Sequence, residues 1–80
     1  MGTREAIAQR IEELCKTRGI TINALSYRAG VSNSTIRDIF YKRSLNPGIV
    51  TIKKLCDGLD ITLAQFFNTD TFKKLEQELK

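Results

Sequence analysis

The sequence predicts an all-α fold, a compact bundle of five short helices followed by a short C-terminal helix. Three observations predict it. Apolar residues recur at helical spacing throughout, and no stretch shows the strict alternation of a half-buried strand. Capping residues and glycines punctuate the chain at intervals of one short helix. The 80 residues contain a single proline, Pro47, in the loop sequence SLNPG. That proline marks a turn rather than a linker, so residues 1–80 read as one domain with its core over about 5–67.

The first helix is expected over about 4–18, with Thr3 as cap and Glu5 favourably placed in the first turn. Ile7, Ile11, Leu14 and Cys15 share one face, and Gly19 can take the left-handed conformation that ends a helix. The second spans about 22–29, capped by Thr21 and closed by Gly30, with Ala24, Leu25 and Ala29 inward. Val31 plugs the turn, Ser32 caps the third helix over about 33–41, and Ile36, Ile39 and Phe40 form its buried stripe. Gly48 opens a fourth helix over about 49–59, with Ile52, Leu55, Cys56 and Leu59 on one side. Asp60 follows where glycine is usual, because Asp tolerates a left-handed backbone better than most residues. Thr62 and Gln65 form a capping box for a fifth helix over 63–67 that carries Leu63, Phe66 and Phe67 inward. A last helix over about 71–79, capped by Asp70, has Phe72, Leu75 and Leu79 at i, i+3, i+7. That stripe either folds back on the domain or meets a second copy.

The second and third helices, joined through Gly30, have the layout of a helix-turn-helix, whose second helix can enter the DNA major groove. The side of the third helix left free by its apolar stripe carries Asn33, Ser34, Arg37, Asp38 and Tyr41. Charge distribution points the same way. The formal net charge is +4. Residues 21–54 hold Arg28, Arg37, Lys42, Arg43, Lys53 and Lys54 against Asp38 alone, while residues 55–80 are net acidic. Cations gathered on and just after the helix pair are what a nucleic-acid footprint requires, although a solvated basic face would look the same.

Other functions find little support. The chain has no histidine, no glycine-rich phosphate loop and no reactive-cysteine motif, so it does not read as an enzyme. Cys15 and Cys56 are too few for a zinc site without His, and both fall on apolar stripes as small hydrophobes. No metal, cofactor or small-molecule ligand is expected. No apolar run approaches the roughly 18 residues a membrane span needs, and no signal peptide is visible, which makes the cytoplasm the expected location.

The pattern Thr21-x-x-x-Leu25-x-x-x-Ala29-Gly30-Val31-Ser32-x-Ser34-Thr35-Ile36 resembles the lambda-repressor-like helix-turn-helix domains of the Cro and XRE type. Ile11, Leu14 and Gly19 extend the likeness before it, and Asn46-Pro47, Leu55, Leu59, Ile61-Thr62 and Phe66-Phe67 extend it after. The resemblance implies a five-helix bundle that binds double-stranded DNA, usually as a homodimer on two half-sites, in a bacterial or phage regulator that is a repressor. It implies that Asn33 and Ser34 touch base edges first and that Arg37 and Asp38 read one turn further on. The chemistry agrees: Asn pairs bidentately with adenine, Arg with guanine, and Asp accepts from the cytosine amino group. Asp38 could instead hold Arg37 in place. Thr21, Ile22, Ser32, Thr35, Tyr41, Lys42 and Arg43 fall where the family meets phosphates, in part through backbone amides at helix starts.

Three positions depart from the family. Ile22 stands where Gln commonly supports a phosphate contact. Cys15 and Phe40 replace an Arg–Glu pair, an exchange of ions for apolar contact that need not cost stability. Asp60 replaces Gly. Ile22 and Asp38 favour an alternative function, a protein-interaction module that keeps the fold, such as an antitoxin-like or anti-repressor partner.

Overall fold

The computed structural model describes residues 1–41 and 46–79 and is all-helical across them: α1 (Thr3–Arg18), α2 (Ile22–Ala29), α3 (Asn33–Phe40), α4 (Ile49–Gly58), α5 (Leu63–Phe67) and α6 (Asp70–Lys73). Local causes set the starts of α2, α3 and α5 and the ends of α1, α2 and α4. Thr21, Ser32 and Thr62 accept through their hydroxyls from the amides of Ala24, Thr35 and Gln65, at 3.0, 3.2 and 3.0 Å. Gln65 completes the capping box by accepting from the Thr62 amide at 2.8 Å. Gly19 and Gly30 both end their helices at φ 66°. Asp60 takes φ 58°, the left-handed turn expected of it.

Two expectations are corrected at the chain ends. Thr3 is the first residue of α1 rather than its cap. Gly2 takes the cap position with an extended backbone, and the Thr3 hydroxyl donates to Glu78 at 2.9 Å. The last helix is a single turn, Asp70–Lys73, and does not run on to 79. It is capped by Thr69, whose hydroxyl accepts from the Phe72 amide at 3.4 Å. Only Phe72 of the expected stripe finds a strong apolar partner, packing with Phe66 and Phe67. Leu79 is exposed, so nothing holds residues 75–79 helical, since a helix this short needs packing to persist. The tail turns back on α1 instead: Glu76 lies 3.7 Å from the Met1 amine, and Glu78 receives the Thr3 hydroxyl. Both carboxylates sit at the start of α1, where the helix dipole favours negative charge.

The core is one cluster in which Ile11, Leu25, Ile36, Ile39, Leu55, Cys56, Leu59 and Phe66 are almost fully buried. The expected stripes of α1, α3 and α4 all enter it, as does the Val31 plug. Burial pushes both Cys15 and Cys56 above the ordinary thiol value of 9.0, which fits their place as core fillers. No helix among the described residues is long and apolar enough to cross a membrane.

Gly58 of α4 sits directly against α2. A Cβ at that position would lie 3.2 Å from the Ala29 backbone nitrogen, the Ala29 Cβ and Leu25 Cδ1. Gly58→Ala gains up to about 1 kcal/mol of helix propensity but overpacks this seam at a cost of roughly 1–3 kcal/mol. The expected result is a net loss of about 1 kcal/mol in urea unfolding; an unchanged midpoint would show that α2 can move aside freely.

Candidate nucleic-acid interface

The helix pair α2–α3 is held at its turn by a two-way tie. The Val31 amide donates to the Ser26 carbonyl at 3.1 Å, and the buried Ser26 hydroxyl donates back to the Val31 carbonyl. Ser26 was not singled out by sequence, because a serine one residue past the apolar stripe gives no sign of burial. Its hydroxyl satisfies a carbonyl that the Gly30 turn would otherwise leave unpaired, so the angle between the two helices is fixed from inside.

With Ile36 and Ile39 in the core, the opposite side of α3 presents Asn33, Ser34, Thr35 and Arg37 to solvent, with Asp38 half-buried. Tyr41, just past the helix end, is also exposed. The structure therefore brings Asn33, Ser34 and Arg37 onto one open surface. Among the described residues no ion pair joins Arg37 to Asp38. Ser32 and Thr35 are engaged with each other, their hydroxyl oxygens 2.8 Å apart, which closes the first turn of α3. Thr21 performs the same service for α2. Lys42 and Arg43 lie outside the described residues.

Ile22 lines a shallow groove between α2 and α3. Ile36 and Phe40 join it there, and Glu12, Arg37 and Tyr41 stand at the edge. The position where a polar clamp was expected is thus an apolar wall beside Arg37.

Two cations of α1, Arg4 and Arg10, have structural partners. Arg4 Nη1 donates to the Ile39 carbonyl at 2.7 Å, tying the start of α1 to the end of α3. Arg10 donates from Nε to the Phe66 carbonyl at 2.7 Å and from Nη2 to the Gln65 carbonyl at 2.9 Å. It also lies 3.6 Å from Glu13. Arg10 thereby satisfies carbonyls at the end of α5, where a helix leaves its last acceptors without intrahelical donors.

A family model described as the Cro/C1-type HTH DNA-binding domain matches residues 10–71. A solved structure, the crystal structure of the prophage Lp1 protein 11, is similar to the chain with a TM-score of 0.83 and 33% identity. The likeness covers 94% of this chain and 100% of that one. No curated protein matches. The matched residues contain the whole of α2, the Ser26–Val31 tie, α3 and the α4–α5 buttress, and on that ground the chain belongs to the Cro/C1-type helix-turn-helix family of DNA-binding transcription regulators.

Proposed function

We propose that the protein is a sequence-specific, double-stranded DNA-binding repressor of bacterial or phage type, acting in the cytoplasm as a homodimer with α3 in the major groove. The carrying observation is the open row of Asn33, Ser34 and Arg37 on a helix whose other side is locked in the core. The similarity to a prophage protein supports the phage-type assignment. In this reading Asn33, Ser34, Arg37 and Asp38 read base edges. Thr21, Ile22, Ser32, Thr35, Tyr41, Lys42 and Arg43 meet the backbone, Ile22 through its amide at the start of α2.

Selection of bound duplexes from a random pool tests this directly. A palindromic site is expected, because a two-fold dimer reads two half-sites about one helical turn apart. On that site Arg37→Ala lowers affinity by ~1–3 kcal/mol, the worth of one bidentate base contact. Lys42→Ala weakens selected and random duplexes alike and reduces the salt slope by about one. Equal gel-shift titrations for wild type and Arg37→Ala would remove α3 from the reading role.

The groove walled by Ile22, Ile36 and Phe40 favours a second reading, a module that receives an apolar side chain of a protein partner. Salt separates the two. A DNA binder loses affinity steeply as salt rises, whereas the interaction module binds mixed genomic DNA poorly at any salt.

A further inference from the structure

The outer edge of α2 carries two residues that neither the core nor the proposed reading row uses. Asn23 and Tyr27 sit one turn apart on it, so their side chains are neighbours. Tyr27 is 91% exposed, the most exposed large hydrophobic residue among those described. Its hydroxyl has no hydrogen-bond partner among the described residues, so the phenol is free to meet a ligand.

Their placement relates them to α3. Tyr27 and Asn23 line a shallow concavity with Ser32 and Asn33, which sets the ring beside the first residue of α3. Asn23 also borders the groove on the other side, together with Arg37 and Tyr41. It is the ridge between the two hollows, so the α2 edge opens on the same side of the molecule as the α3 row. A major groove is about 12 Å wide and is bordered by a phosphate strand on each side. A protein that fills the groove with one helix brings the neighbouring helix edge against one of those strands.

We propose that Tyr27, with Asn23 beside it, grips the phosphodiester backbone that borders the groove entered by α3. The inference rests on the major-groove reading above. The phenol and the amide each donate to a phosphate oxygen, and the ring packs on the adjoining deoxyribose. This is a sequence-independent contact that sets how the reading helix sits. Both donors are neutral, so they displace no counterions and leave the salt slope unchanged, unlike a lysine or arginine contact.

Gel-shift titrations test it with wild type, Tyr27→Ala, Tyr27→Phe and Arg37→Ala, each on the selected duplex and on a random one over a range of salt. Tyr27→Ala is expected to weaken both duplexes by about tenfold, the worth of a hydrogen bond to a charged group. Its salt slope should match wild type, and Tyr27→Phe should lose only part as much. The ring is exposed, so thermal unfolding of both variants should equal that of wild type and the binding change reports contact alone. Wild-type affinity of Tyr27→Ala for both duplexes would overturn the inference. So would a loss confined to the selected duplex, which marks a base reader, or a reduced salt slope. If Arg37→Ala loses affinity and Tyr27→Ala does not, this inference alone falls. If neither loses affinity, the major-groove reading falls with it.

Discussion

Replacing Phe66 with alanine lowers folding stability by about 3–5 kcal/mol, the range for emptying a large aromatic from a core. An 80-residue domain has roughly 4–12 kcal/mol to lose, so the variant sits at the edge of folding. The side chain is fully buried. It also centres an aromatic group, with the Phe67 ring edge-on at 4.9 Å and the Phe72 ring at 6.0 Å. Such pairs add about 0.5–1.5 kcal/mol beyond their buried area. Phe67 and Phe72 still face each other at 4.9 Å, but both lie only half in the core and cannot fill the void from where they stand. Urea unfolding followed by circular dichroism measures the change. A loss under 1 kcal/mol would show that α5 collapses onto the vacated space.

Arg10→Ala is the second large effect, an expected loss of about 2–3 kcal/mol. Hydrogen bonds from a charged donor are worth about 1.5–3 kcal/mol each. Arg10 makes two, from α1 to the last carbonyls of α5, across 56 and 55 residues of sequence. They do not add fully. The Gln65 carbonyl is reached at the surface, where water can replace the guanidinium, while the Phe66 carbonyl is part-buried and less easily rewetted. Arg10→Lys should recover less than half, because an ammonium offers a point charge where two parallel donors are needed. The check is the urea midpoint of both variants beside wild type. Equal stability of Arg10→Lys and wild type would mean that charge near α5 suffices, without the fork. DNA affinity measured well below either midpoint should be unchanged, since Arg10 is spent inside the bundle.

What the sequence made legible depended on how local each cause is. The stripes Ile7-Ile11-Leu14-Cys15 and Ile52-Leu55-Cys56-Leu59 and the caps Thr21, Ser32 and Thr62 act within one or two turns, so spacing alone placed α1 to α5 closely. Thr69 and Asp70 are adjacent cap candidates, and nothing local selects between them; Phe72, docking on Phe66, does. The i, i+3, i+7 spacing of Phe72, Leu75 and Leu79 met the helical pattern without a surface to pack on, so only its first residue was held. The roles of Arg4, Arg10 and Ser26 were invisible for the same physical reason. Each is defined by a carbonyl that the fold brings near, 35, 56 and five residues away. On the candidate interface, the row Asn33-Ser34-Arg37 followed from the buried stripe opposite it. Asn23 and Tyr27 did not, because their significance lies in which way α2 is rotated against α3.

The contact between Thr3 and Glu78 has a practical consequence. It places Thr3 and Glu78 at one corner, and the Arg4 bond to the Ile39 carbonyl fixes that corner at the far end of α3 from Asn33. At 1.5 Å per residue, Asn33 lies about 10 Å further along the helix. Labels placed beside Thr3 and beside Glu78 therefore start from neighbouring spots, near where α3 ends. Such a pair would report separation of these two segments as a loss of proximity.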